Sequence, residues 1–328
     1  MIGESLSLLV ALSFTATALF AEVGSKRMGS VCFNAVRMSM SLVFLALTLW
    51  LTMGAPWPRY ADGSTWMWLA LSGAVGYVVG DYCLMQGYII IGARFGQLFM
   101  TLSAPTAAIL GRIFMGEQIK PLALVGMVVT LSGIAISILS KQGDTEKSSH
   151  SLKLSVSPRG IVIACMAGIC QGAGLVLSKI GMQHYYASLA EHGIDGMFVH
   201  PDAIIPLPFD IAIPFASTMM RGIVGLIGFF ALLLFLRQSG GIEQLGRALR
   251  DRKAVASAFW SMIFGPFVGV SLSLTATLYT STGIAQTLFA LTPVLIIAPS
   301  ALLFHQKVTA REVLGAVISV IGASMFFL

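Results

Sequence analysis

The apolar residues of this 328-residue chain fall in runs of about twenty, repeated from one end to the other. A helix rises 1.5 Å per residue and so crosses a hydrocarbon layer roughly 30 Å thick in about 20 residues; within that layer it satisfies its own backbone hydrogen bonds. Ten windows bounded by charge, Gly or Pro predict spans at 5–23, 31–53, 66–90, 95–115, 121–140, 160–179, 214–236, 255–279, 283–304 and 308–328. Composition agrees, with 56% hydrophobic and only 10% charged residues against roughly 25% charged in ordinary soluble domains. A water-soluble enzyme, a disordered chain, collagen and a coiled coil are excluded. The first window has no basic leader and is followed by Glu22 and Lys26-Arg27, so it reads as a retained span and not a signal peptide.

Cys32, Cys83, Cys165 and Cys170 lie within or beside apolar runs without metal-type spacing and are read as packing residues. The formal net charge of +6 comes from basic residues in the gaps between runs, where they act as topology signals. That placement predicts the lipid bilayer and a small molecule as partners and no nucleic acid.

The most polar stretch, 141–158, separates the windows five and five. The chain is therefore expected to hold a first repeat at 1–140, a linker at 141–158 and a second repeat at 159–328. A shift of 189 residues sets Gly76 and Gly80 on Gly265 and Gly269, Gln97 on Gln286, Leu102 on Leu291, Gly126 on Gly315 and Gly133 on Gly322; Pro105 and Pro293 match after a one-residue slip. Earlier in each half, Ser25-Lys26 resembles Ser178-Lys179 and Arg37 resembles Arg221. Two copies with an odd number of spans must lie in opposite orientations. The expected fold is an all-α integral membrane protein of about ten transmembrane helices in two inverted five-helix repeats.

Counting Lys and Arg by face puts fourteen on one side and only Arg59, Lys120 and Lys179 on the other. The basic side is read as cytoplasmic, which places both termini outside, in the inner or plasma membrane. An extracytoplasmic loop is expected at 181–213, carrying Glu191, Asp195, Asp202 and Asp210 with no Lys or Arg. The irregular spacing of its His184, His192 and His200 argues against a metal site, and none is expected. On the basic side, 241–253 alternates apolar and basic residues at helical spacing, as for a short helix on anionic lipid or a simple loop.

Polar groups inside a bilayer are costly, so they are the first candidates for function. Arg37 and Arg221 lie at similar depths in the second and seventh windows and suit a carboxylate or phosphate through a bidentate fork, or else snorkel or pair structurally. Asp81, in the third window, is a candidate for proton coupling or for pairing with Arg37 or Arg94, and Glu22 is a weaker candidate of that kind. Its equivalent under the shift is Val270, so any proton site is asymmetric. Gln97 and Gln286, followed by Thr101, Ser103 and Pro105 and by Thr287, Thr292 and Pro293, are the expected substrate wall, with the prolines bending their helices. Tyr77, Tyr82, Tyr88 and Trp68 could line the pathway or pack in aromatic belts. The pairs Gly76 with Gly80, Gly168 with Gly172 and Gly265 with Gly269 allow close helix approach. No Walker loop, HExxH, GxSxG or CxxC is present, which disfavours an ATP-driven pump or a recognisable hydrolase.

The stretch LSAPTAAILGRIFMGEQIKPLALVGMVVTLSGIAI at 102–136 places a proline helix before the Gly116-Glu117 turn and a Gly-rich helix after it. Its second copy, LTPVLIIAPSALLFHQKVTAREVLGAVISVIGASM at 291–325, has His305-Gln306 at that turn. Together with the ten windows, this pattern resembles the drug/metabolite transporter superfamily and, more narrowly, EamA-type transporters. The resemblance implies export or exchange of small metabolites, including amino acids and drugs, without a cofactor. It also implies termini in the cytoplasm, opposite to the charge count. The expected function is a secondary active transporter, exporter or exchanger, of a small polar metabolite such as an amino acid or other carboxylate- or phosphate-bearing compound, by alternating access. The alternatives are a flippase for a lipid or lipid-linked substrate and a membrane-embedded lipid-modifying enzyme.

Overall fold

A computed structural model describes residues 2–139, 157–194, 208–235, 241–295 and 310–325. Its elements are helices: α1 (Ile2–Met28), α2 (Ser30–Met53), α3 (Gly63–Gly73), α4 (Tyr82–Met100, divided by a kink at the non-helical Gly92), α5 (Ser103–Met115), α6 (Pro121–Leu139), α7 (Pro158–Glu191), α8 (Phe209–Phe235), α9 (Gly241–Arg250), α10 (Arg252–Met262), α11 (Val268–Tyr279), α12 (Thr282–Phe289), α13 (Thr292–Leu295) and α14 (Ala310–Ser324). A π-helical turn, Ala74–Asp81, joins α3 to α4, and another, Ile263–Phe267, joins α10 to α11. Among the described residues, six stretches are long and apolar enough to cross a bilayer: Ile2–Met28, Ser30–Met53, Gly63–Ala93, Pro158–Glu191, Ile211–Phe235 and Arg252–Tyr279. The protein is thus an integral, multi-pass helical membrane protein.

Burial supports the same conclusion from the side chains. Leu9, Leu12, Val43, Leu47, Val162 and Ile227 are exposed, whereas Ser7, Asn34, Ser72, Ser178, Thr218 and Thr277 are fully buried. Apolar groups outside and hydroxyls or amides inside suit a lipid solvent, in which each buried polar group needs an internal partner. Ser72 Oγ donates to the Gly174 carbonyl at 2.6 Å and lies 2.7 Å from Ser178 Oγ, fastening α3 to α7.

Residues 189 apart stand in matching contacts. A Cβ on Gly133 of α6 would fall 2.5 Å from the Ser319 nitrogen, and one on Gly322 of α14 would fall 2.5 Å from the Thr130 nitrogen. The two helices therefore meet backbone to backbone. Thr130 and Ser319 turn their hydroxyls back to the carbonyls of Gly126 (2.7 Å) and Gly315 (2.8 Å), which are again 189 apart. The two π turns begin at Ala74 and Ile263, and the breaks between α4 and α5 and between α12 and α13 fall at 101–102 and 290–291, at the same spacing. Helix α1 packs on α10 and α11, while α7 packs on α3 and α4.

Both ends of the expected external loop differ from the sequence expectation. Residues 181–191, expected as the start of an external loop, continue α7, because GMQHYYASLAE has no proline and buries Met182, Tyr185 and Leu189 on one face. The first left-handed backbone after it is Gly193, at φ +71°. Lys179, counted as a loop charge, consequently lies within α7, and residues 209–213 already belong to α8. The rest of that loop (195–207, with His200), the linker through 156 and His305-Gln306 lie outside the described residues.

The segment at 241–253 forms α9, and Asp251 caps α10 by accepting from Lys253 N (3.0 Å) and Ala254 N (3.3 Å). Arg27 Nη1 donates to Asp251 Oδ2 at 2.7 Å, and this guanidinium holds the carboxyl below its usual range.

Candidate functional site

Both π turns contribute to the wall of one cavity, with Tyr77 and Asp81 from the first and Gly265 and Pro266 from the second. Its free space, mouth included, is about 880 Å³. A π turn inserts an extra residue into the helical repeat and re-aims the side chains that follow, so such turns gather at functional sites. Of the sequence candidates, Arg37, Arg221, Gln97, Gln286, Ser103, Thr292, Tyr77 and Asp81 all line this cavity. Thr101 does not; it lies in the break between α4 and α5.

The two arginines are equally buried, each 3% exposed, but differ in partners. Arg37 Nη2 donates to Asn34 Oδ1 at 2.9 Å and forms a close ion pair with Asp81 Oδ2. The other oxygen of Asp81 accepts from Gln171 Nε2 at 2.7 Å, and Asn34 Nδ2 donates to the Asp81 carbonyl at 3.2 Å. Asp81 is thereby held from α2 and α7 at once. Arg94, its other expected partner, has no described side-chain placement.

Arg221 has no hydrogen-bond acceptor and no carboxylate partner among the described residues, and its Nε is a buried donor without a bond. Its guanidinium lies over the Tyr77 ring, 4.7 Å from the centroid, and the Tyr77 hydroxyl is likewise unbonded. Backbone packing explains how so large a group fits. A Cβ on Gly73 would come 2.6 Å from the Arg221 carbonyl, and one on Gly76 would come 3.1 Å from Arg221 Nη2. On the other side, Gly265 stands near Arg37, 3.6 Å from Nη1 to the same constructed position.

The glutamines and hydroxyls expected as substrate wall are engaged with the protein. Gln97 Nε2 makes a short hydrogen bond to the Tyr88 hydroxyl, and Gln286 Oε1 accepts from Ser103 Oγ at 3.1 Å. Pro105 and Pro293 stand at the starts of α5 and α13, and the helix breaks occur upstream of them, because a proline ring collides with the carbonyl four residues back, Thr101 and Phe289 respectively. Ser103 Oγ caps the freed Met100 carbonyl at 2.6 Å and Thr292 Oγ1 caps that of Phe289 at 2.7 Å. The broken segment is received by α7, where a Cβ on Gly168 would fall 2.3 Å from the Phe99 oxygen and one on Gly172 2.5 Å from the Ser103 oxygen.

A second ion pair, Lys179 Nζ to Glu117 Oε1 at 2.7 Å, lies apart from the cavity. Glu117 Oε2 accepts from Thr282 N (2.9 Å) and Thr282 Oγ1 (2.7 Å), so the turn before α6 is clamped to α7 and to the start of α12. Glu22, by contrast, pairs with Lys26 on its own helix at 2.5 Å. His184 stacks on Trp68, and His192 packs on Tyr60 with Nδ1 2.8 Å from the Ser188 carbonyl. No three His, Cys, Asp or Glu residues cluster as metal ligands among the described residues. Sequence reasoning missed Gln171 and Asn34; an amide in the middle of an apolar window was the available signal for both.

The EamA-like transporter family matches residues 1–139 and 210–328. No curated protein matches the chain. Solved chains do, 28 of them, including one described as "Crystal structure of protein" with TM-score 0.61 and 12% identity over 100% of this chain and 99% of that chain. At that identity the likeness concerns the fold alone. The two matched segments take in Arg37, Asp81 and Arg221, and the stretch between them holds α7. Spanning most of its length, the match places the chain in the EamA-like transporter family, as a membrane transporter and not an enzyme.

Proposed function

We propose that the protein is a secondary active transporter, exporter or exchanger, of a small metabolite bearing a carboxylate or phosphate, which binds in the cavity at Arg221. The observation that carries this reading is a guanidinium buried in that wall with no carboxylate at ion-pair distance among the described residues. Removing one member of a buried ion pair destabilises by about 3–5 kcal/mol, because the remaining charge is left uncompensated. Arg221 is in that position before any ligand arrives, and a bidentate anion would relieve it.

The transport mode proposed is alternating access by two inverted five-span repeats, 1–140 and 159–328, joined by the 141–158 linker, ten spans in all. Matching contacts at a spacing of 189 residues support it, as do the π turns and helix breaks at that spacing. The charge count supports both termini outside the cytoplasm, in an inner or plasma membrane. Proton coupling at Asp81 would require its pair with Arg37 to open during the cycle; vesicle transport with and without an imposed pH gradient tests this.

Thermal unfolding of the purified protein against amino acids, other carboxylates, sugar phosphates, nucleotide sugars, polyamines and lipid headgroups is the first test. A ligand at one hundred times its Kd stabilises by roughly 2.7 kcal/mol. An anion is expected to give a saturable shift that Arg221→Gln removes while the variant stays folded. An undiminished shift in that variant would return Arg221 to a structural role, and a shift confined to lipid headgroups would point to a flippase.

A further inference from the structure

The two halves are alike in framework but not in charge. Arg37 and Arg221 are counterparts, each set beside a glycine of the other half, Gly265 and Gly76 respectively. Asn34, three residues before Arg37, reaches the Asp81 backbone at 3.2 Å; Thr218, three residues before Arg221, accepts from Ser271 Oγ at 3.2 Å. Ser271 directly follows Val270, the residue 189 positions after Asp81. Val270 lines the cavity that Arg221 enters. A carboxylate thus neutralises the arginine in one half, and an isopropyl group occupies the corresponding place in the other.

We infer that the pair Asp81 and Val270 sets the charge of the substrate: the cavity takes a monoanion with an apolar body, and excludes dianions. The inference rests on the anion reading above and narrows it. Among the described lining residues, Arg37, Asp81 and Arg221 leave one positive charge uncompensated, and the other ionisable side chains are those of Tyr77 and Tyr88. Around them, Phe14, Leu84, Met85 and Phe289 offer surface to an apolar body. Among the described lining residues, the guanidinium left for a second anionic group is the one Asp81 occupies, and that group would meet the carboxylate.

The test uses thermal shifts of the purified full-length protein at pH 8. The monoanions 3-phenylpropionate, octanoate and benzenesulfonate are compared with the dianions phenylsuccinate, suberate and phenylphosphate. At least one monoanion is expected to give a saturable shift at a concentration about ten-fold or more below that of its matched dianion. Val270→Asp supplies the missing carboxylate and is expected to weaken monoanion binding about ten-fold or more relative to Val270→Asn, which has the same shape without the charge. Asp81→Asn frees Arg37 and is expected to move preference toward the dianions. Wild-type preference for the dianions, or equal binding by the two Val270 variants, overturns the charge assignment and leaves an anion transporter. If Val270→Asp does not fold, an unchanged preference in Asp81→Asn overturns it. No saturable shift with any of the six overturns the anion reading and this inference together.

Discussion

At the scale of single residues, two arginines of equal burial carry opposite energetic signs. Arg37 completes a network that holds both oxygens of Asp81, so Arg37→Met leaves a buried carboxylate unpaired and is expected to destabilise by about 3–5 kcal/mol. Arg221 makes no hydrogen bond and no ion pair among the described residues, only a contact with the Tyr77 ring, and its stem needs only comparable volume. Arg221→Met is expected to raise the thermal midpoint of the ligand-free protein, the gain being about 1 kcal/mol or more, as when a buried charge is replaced by an apolar group of similar size. Melting curves of the two purified variants check this. A loss of stability in both would mean that Arg221 is already compensated without a ligand.

Among the elements, the glycine contact between α6 and α14 is the closest approach of matching helices. With a methyl group only 2.5 Å from a backbone nitrogen, Gly133→Ala and Gly322→Ala must push the helices apart. Overpacking of this kind costs about 1–3 kcal/mol, and the matching geometry predicts similar losses for the two variants, read as lowered thermal midpoints. Much of this level was legible beforehand. Hydropathy windows found α2 and the α10–α11 span at both ends, and the start of α6, to within a few residues, because charge, proline and glycine bound both the apolar run and the helix there. The end of α7 was illegible, since hydropathy stops at the edge of the lipid while the hydrogen-bonded helix continues to Glu191. Ser103 and Thr292 were recognised as important polar residues, but their work of capping broken helices depends on carbonyls freed upstream by proline. Likewise Arg37 and Arg221 could be paired by position, and Arg37 or Arg94 named as the partner of Asp81, yet that Arg37 takes it depends on how the π turn aims the carboxylate.

Over the whole molecule, the asymmetry of the cavity is accompanied by an asymmetry in how the two halves are tied. Lys179 and Lys26, which share a Ser-Lys sequence, both form ion pairs, but Lys26 bonds within α1, whereas Lys179 and Glu117 join the α5–α6 turn, α7 and the start of α12. Gly111 makes room for this clamp: a Cβ there would fall 2.6 Å from Glu117 Oε2 and from Thr282 Oγ1. Under the alternating access proposed above, such a tie must be released on one half-cycle. Glu117→Ala removes both acceptors, leaving the Lys179 charge and the Thr282 amide without them. Hydrogen exchange is then expected to rise about ten-fold in the amides of Thr282–Phe289, as a lost buried hydrogen bond of 1–3 kcal/mol implies, while α2 and α3 keep wild-type rates. Asp251→Ala, which loosens the Arg27 contact and the α10 cap, is expected to leave the Thr282–Phe289 amides unchanged. Equal acceleration by the two variants, or none at 282–289 in Glu117→Ala, would show that the Lys179 pair carries no part of the closure between the halves.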